Sequence, residues 1–171
     1  MVAPISTRVF RLPLMTVTIA ASEHAIHSID LVEHPALPAG CLISEPRHPA
    51  NTAGPRNLLD IIEQRVRCGV DLSDLPTAQV GTEFQHSVWH YIRGIPRGTV
   101  ATYAEVAAAI GRPRAVRAVA NACACNTVAL AIPCHRIVRS DGSLGGYRWG
   151  IRLKQRLLSL EGSSHAEVAY E

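Results

Sequence analysis

Cys134 and His135 stand side by side in Pro133-Cys-His-Arg-Ile-Val138, directly after the apolar run Val128–Ile132. A thiol beside an imidazole can make a nucleophile. A free cysteine has a pKa near ~8.5, so only about 3% is thiolate at neutral pH, and a neighbouring base or cation must raise that fraction. Adjacent residues in an extended strand point to opposite faces, so the pair can cooperate only if the chain bends after Cys134. Pro133 and a following turn can supply that bend. The dipeptide alone is a common coincidence, and its surroundings decide what it means. Two further histidines, His86 and His90, stand four apart on a predicted helix, a spacing that can hold a metal. An exposed helix face is the simpler reading, and no metal is expected.

The elements that must hold Cys134 follow from hydrophobic periodicity and from turn residues. Met15–Ala20 and Ala25–Leu31 read as two short strands around Glu23-His24. Residues 33–55, rich in Pro, Gly and Ala, read as loop. Leu58–Val66 carries Leu58, Leu59, Ile61, Ile62 and Val66 at helical spacing. A polar linker, Asp71–Val80, marks the division between an N-terminal unit, residues 1–80, and a C-terminal unit, residues 81–171. In the second unit Phe84–Ile92 reads as a helix. Thr102 is placed to cap another over Tyr103–Ile110 through its hydroxyl. Gly111-Arg-Pro113 ends that helix, and Arg114–Cys125 forms the next, so the pair reads as a helix-turn-helix. Val128–Ile132 reads as a buried strand running into Cys134. Asp141-Gly142 and Gly145-Gly146 mark a turn and a flexible loop. Ile151–Glu161 closes the chain as a helix with Leu153, Leu157, Leu158 and Leu160 available to the core.

Composition narrows the class of partner. The 171 residues are 47% hydrophobic and 18% charged, ordinary for a globular protein. Residues 1–80 carry six Arg against eight acids, net −2, whereas residues 81–171 carry eleven cations against six acids, net +5. Sixteen of the seventeen cations are Arg, which suits bidentate phosphate contact and salt-sensitive binding to a polyanion. Five cysteines, at 41, 68, 123, 125 and 134, form an odd, irregular set without a CxxC. They argue against a disulfide framework or zinc ribbon and for a reducing cytoplasm. Cys41, Cys68, Cys123 and Cys125 are read as buried or inert thiols. The apolar run Leu12–Ala21 is interrupted by two Thr and reads as strand rather than signal peptide. No stretch is long enough to span a membrane.

The order Gly81-Thr-Glu-Phe-Gln85, Val88-Trp89, Ile95-Pro96-Arg-Gly98, Tyr103, Gly111-Arg-Pro113, Arg117-Ala-Val119, Asn126, Ile132-Pro-Cys-His-Arg136, Gly146-Tyr-Arg-Trp-Gly150, Leu157-Leu158 and Glu161-Gly162 resembles the O6-alkylguanine-DNA alkyltransferases. It is similar to the C-terminal domain of the bacterial adaptive-response (Ada) protein and to stand-alone Ogt-type relatives. The likeness covers roughly Gly81 to Gly162, with spacing intact. It implies an α+β fold: a small N-terminal ribonuclease-H-like α/β domain with an antiparallel sheet, then a C-terminal helical domain with the helix-turn-helix. The N-terminal part is shorter than the family's usual one.

The resemblance also implies roles. Cys134 takes the alkyl group, His135 deprotonates it through a water, and Glu161 orients and charges the imidazole. Tyr103 pushes on the target phosphate and assists the departing guanine at N3 as a general acid. Arg117 fills the gap left by an extruded base from a helix lying in the minor groove. Arg114 belongs to the same helix's polar reach, and Gln85, Arg112 and Ser140 match positions that contact the DNA backbone. Asn126 clamps backbone between helix and active-site strand, Pro133 fixes the approach to Cys134, and Arg136 tethers the turn. Tyr147, Arg148 and Trp149 wall the base pocket, with Trp149 narrowing it against benzyl-sized adducts. The expected partner is double-stranded DNA bearing O6-alkylguanine, bound without sequence specificity by a cytoplasmic monomer that needs no cofactor. O4-alkylthymine is a lesser substrate. Each molecule acts once, because nothing suggests a route to remove the thioether. The competing readings are an alkyltransferase-like lesion-binding protein, which Cys134 argues against, and a helix-turn-helix transcription regulator, which the Ala-rich second helix suits poorly. A cysteine protease is a weaker third, lacking an identifiable oxyanion hole.

Overall fold

The computed structural model describes residues 4–34 and 57–163. Three strands, β1 (Ser6–Arg11), β2 (Met15–Ala21) and β3 (Ile26–Glu33), form one antiparallel sheet in that order. The sequence of β2 alternates by twos. Met15, Val17, Ile19 and Ala21 are buried and the intervening residues are half-exposed, as a sheet covered on one face requires. Register follows, with Val17 opposite Leu31 and Ile19 opposite Ile29. Strand β1 is absent from the sequence reading because Phe10 is its single buried residue. A strand with so little to bury carries little periodic signal.

Helix α1 (Leu58–Arg67) covers the sheet with Leu59 and Ile62. The Asn57 side chain caps it by accepting from Asp60 N. Arg8 on β1 reaches over to Asp60 at 2.6 Å and Glu63 at 3.2 Å. The stretch read as a linker is strapped down. Ile26 N donates to Pro76 O and Ala78 N to Ile26 O, and Arg93 donates to the carbonyls of Ser73 and Leu75 and to Thr77 Oγ1.

Helix α2 (Glu83–Arg93) opens with a capping box between Thr82 and Gln85. Its Trp89 ring nitrogen donates to Ala122 O at 2.9 Å. A two-residue strand, β4 (Ala101–Thr102), leads into α3 (Tyr103–Ala109). Thr102 caps α3 as expected, in a second capping box with Glu105. Gly111, at φ +72°, turns the chain toward α4 (Val116–Ala124). Beyond α4 a 3-10 turn (Cys134–Arg136) precedes β5 (Ile137–Val138), which pairs in parallel with β4. Helix α5 (Ile151–Leu160) follows. These elements give a mixed α/β fold of a small antiparallel sheet and five helices.

The expected strand Val128–Ile132 does not form. Val128 makes one isolated bridge to Ile29, and the chain then turns tightly, with Leu130 at φ +65°. Both readings bury this run, and burial alone cannot tell strand from turn. Leu160, expected in the core, is 58% exposed at the end of α5. Most of the buried apolar residues, from Phe10 and Ile19 on the sheet to Val88, Cys134 and Leu157, form one continuous cluster, so sheet and helices share a core. Among the described residues no helix is long and apolar enough to cross a membrane.

Candidate active site

Cys134 opens the 3-10 turn, with Pro133 at φ −79° immediately before it. The bend expected between thiol and imidazole is therefore present, and it sends the two side chains to different cavities. Cys134 is 4% exposed and lines a cavity of about 250 Å3 with Tyr103, Ala120, Cys123, Ala124, Gly146, Tyr147 and Arg148. At about 30 Å3 per water, that is room for several waters or a small organic group. His135, Arg136 and Glu161 line a smaller cavity of about 90 Å3 behind the turn, beside Asp71 and Leu130.

Asn126, wholly buried at the end of α4, organises the segment. Its amide nitrogen donates to Ile132 O at 2.9 Å and to Cys134 Sγ at 3.1 Å, and its carbonyl oxygen accepts from Val128 N at 2.9 Å. The clamp expected of it is there, together with a contact to the sulfur that was not expected. Burial pushes the Cys134 thiol up, while the Asn126 hydrogen bond and the charge of Lys154 pull it down. Burial dominates.

His135 Nε2 lies 3.0 Å from Glu161 Oε1. Glu161 also accepts from Arg136 Nε at 3.0 Å and from Arg136 Nη2 at 2.9 Å. Burial alone would raise the Glu161 carboxyl, but hydrogen bonds from His135 and Arg136 outweigh it and hold the pKa down to about 2. An ionised carboxylate only accepts, so Nε2 carries the imidazole proton. That leaves Nδ1, buried and without a hydrogen-bond partner, as the basic nitrogen. Burial lowers the His135 pKa against the opposing pull of Glu161, so the ring is neutral and able to take a proton. Arg136 extends the network to Asp71 at 2.6 Å and to Ile95 O at 2.6 Å. Gly98 lets α5 end close by: at φ +79°, a Cβ there would stand 2.9 Å from Glu161 O.

Tyr103 forms one wall of the larger cavity, its hydroxyl donating at a long 3.5 Å to Gly146 O. A Cβ on Gly145, at φ +65°, would meet that hydroxyl at 3.1 Å. Burial, then the nearby Cys123 and Cys134 thiols, push Tyr103 up to about 12, which keeps it a proton donor. Tyr147 stands edge-on to His135, ring centroids 6.3 Å apart, and burial raises its hydroxyl well above the ordinary range. Trp149 does not line the cavity. It backs Tyr147 at 5.2 Å and donates to Asp30 on β3 at 3.3 Å.

The remaining expected residues fall into two groups. Arg112, Arg114, Arg117 and Ser140 are exposed. Gln85 is half-buried and serves the α2 capping box through its side chain. On α4 the buried residues are Val119, Ala122 and Cys123, which leaves Arg117, Ala118, Asn121 and Ala124 facing outward. Two site residues escaped the sequence reading. Cys123 shares the cavity wall with Cys134, and Lys154 is wholly buried on α5, its ammonium donating to Ile137 O and Leu144 O. Burial lowers Lys154 to about 8 although both thiols pull it up. Its being the single Lys among sixteen Arg was the available signal. Of the thiols read as buried or inert, Cys68 and Cys125 are exposed, since both fall at helix ends, and Cys41 lies outside the described residues. His86 and His90 are exposed on α2.

Residues 83–163 match the family description "6-O-methylguanine DNA methyltransferase, DNA binding domain". The Escherichia coli bifunctional transcriptional activator/DNA repair enzyme Ada is 44% identical over 152 residues, covering 84% of this chain and 41% of that protein. A methylated-DNA–protein-cysteine methyltransferase of Methanosarcina barkeri is 51% identical over 88 residues, covering 52% of this chain and 56% of that one. The chain thus matches less than two thirds of the length of these curated relatives. Among solved structures, the R37L variant of the Mycobacterium tuberculosis O6-methylguanine methyltransferase superposes with TM-score 0.71 at 31% identity, covering 94% of each chain. The Mycobacterium tuberculosis OGT in complex with DNA does so with TM-score 0.70 at 29% identity, covering 94% of this chain and 96% of that one.

Proposed function

We propose, for a chain that belongs to the 6-O-methylguanine DNA methyltransferase family, that Cys134 removes alkyl groups from guanine O6 in DNA and keeps them. The observation that carries this reading is Cys134 on the wall of a cavity with an exposed rim, followed in the same 3-10 turn by a buried imidazole paired with a carboxylate. His135 Nδ1 takes the thiol proton through one water. The Cys134 sulfur then bonds to the alkyl carbon as the carbon–O6 bond breaks, and the electron pair leaves with the purine. Tyr103, held protonated, donates toward ring N3 and makes guanine the better leaving group. The product is a thioether, so one molecule removes one group. Methyl is the main adduct, and O4-alkylthymine is a lesser substrate.

Residues 81–171 act as the DNA-binding and acceptor unit and residues 1–80 as a ribonuclease-H-like scaffold, the protein working as a cytoplasmic monomer. Helices α3 and α4 serve as a helix-turn-helix that enters the minor groove. Small outward residues let the α4 backbone approach closely, Arg117 takes the place of the extruded base, and Arg112, Arg114, Gln85 and Ser140 hold phosphates. Such contacts ignore sequence, which suits lesion repair. The extruded base sits against Tyr147, with Arg148 beside it. Intact-protein mass spectrometry after mixing with an O6-methylguanine duplex tests the proposal. A gain of one methylene per molecule, mapped to Cys134 and lost in Cys134→Ala, is expected. Repeated turnover on unmodified protein would refute it.

A further inference from the structure

The cavity that holds the acceptor sulfur has one charged residue on its wall. Its buried walls are Cys134, Cys123 and Tyr103, and its exposed rim is Ala124, Gly146 and Arg148. Arg148 spans that rim. Its Nη1 donates to Ala124 O at 3.3 Å, at the C-terminal end of α4, and its guanidinium lies 5.9 Å from the Trp149 ring centroid. Those two contacts hold the side chain at the rim, and among the described residues no carboxylate pairs with it. A guanidinium is always charged and has five N–H donors, so most remain available to a ligand entering past it.

We propose that Arg148 makes this pocket favour adducts that carry a negative charge, such as a carboxymethyl group, over neutral adducts of the same size. The inference rests on the reading of Cys134 as alkyl acceptor and adds the class of adduct. Chemistry at the sulfur is unchanged: Cys134 bonds to the methylene carbon, the carbon–O6 bond breaks, and the carboxylate is carried onto the protein intact. Arg148 forms and breaks no covalent bond. It offers the carboxylate a charge-assisted pair that a carbamoylmethyl group of nearly equal shape cannot match.

Two pairs of probes separate charge from size. Without DNA, the alkylation rate of Cys134 by iodoacetate is compared with that by iodoacetamide, read by peptide mass spectrometry; in both, the sulfur–carbon bond forms as iodide leaves. With DNA, a duplex bearing O6-carboxymethylguanine is compared with one bearing O6-carbamoylmethylguanine. The anionic-to-neutral rate ratio is expected to fall about threefold to tenfold in Arg148→Ala and Arg148→Gln, the scale of a partly exposed ion pair, and to be largely kept in Arg148→Lys. An unchanged ratio overturns the inference. So does an equal slowing of both members of a pair, which marks a phosphate contact in the duplex pair and altered access to Cys134 in the DNA-free pair. A ratio lost as fully in the Lys variant overturns it too, because charge is what is claimed. Failure of the wild-type protein to take a methyl group from O6-methylguanine DNA would instead sink the alkyl-acceptor reading, and the DNA-free pair would still test Arg148.

Discussion

Beneath the sheet, Val17, Ile19, Ile26 and Ile29 are buried against other apolar side chains, whereas around Cys134 the chain buries Asn126, His135, Arg136 and Lys154, each at most 2% exposed. The sheet side is held by area removed from water, which is non-directional and tolerant. The Cys134 side is held by hydrogen bonds whose partners are individually specified, where an unmade bond costs far more than a made one contributes. The first arrangement stabilises. The second fixes one sulfur, one imidazole and one carboxylate in place.

Removing single groups should break the two halves in different ways. The largest effect belongs to Cys134→Ala, which should abolish alkyl uptake while the thermal midpoint moves little; residual uptake at another thiol, seen by peptide mapping, would mean that Cys134 is not the acceptor. Arg136→Met should come next. It leaves Glu161 and Asp71 without their shared partner and should cost about 3–5 kcal/mol in a urea titration. Ile19→Ala, under the sheet, should cost about 2–5 kcal/mol by cavity formation, yet the folded fraction should transfer methyl at the wild-type rate. A rate that fell with stability would show that the halves are not separable.

Acid should sharpen the contrast. Glu161 is depressed to about 2 from an ordinary value of 4.5, so its contribution to stability is full above about 4.5 and is lost as pH falls toward 2. Glu161→Gln, weaker at neutral pH, should show a flatter stability profile across that window by tryptophan fluorescence. The smallest change belongs to Arg8→Ala on the sheet side. Its pairs with Asp60 and Glu63 are about one third exposed at Arg8, and their loss should cost less than about 1 kcal/mol.

The same contrast explains what could be read from sequence. Strands β2 and β3 announced themselves by alternation and α3 by the capping hydroxyl of Thr102, whereas the roles expected of Asn126, Glu161 and Tyr103 came from the family resemblance around Cys134. The turn at Val128–Ile132 was misread because a short run of apolar residues, four of the five buried, shows no period that separates strand from turn. Strand β5 is two residues long and pairs in parallel across a long separation, which leaves no local mark. Lys154 and Cys123 were missed because burial of a cation, and the facing of two thiols into one space, are decided by packing among α4, α5 and the 3-10 turn. Trp149 matched its position yet packs against Tyr147 and reaches Asp30 on β3 instead of the cavity, a choice made by tertiary packing that its sequence position does not reveal.

The burial of Lys154 has a practical side. It is the single lysine in the sequence, so the folded surface presents no side-chain amine. Reagents that acylate amines will find this residue only when the fold opens, and a conjugating enzyme that needs a lysine acceptor will read unfolding as its cue.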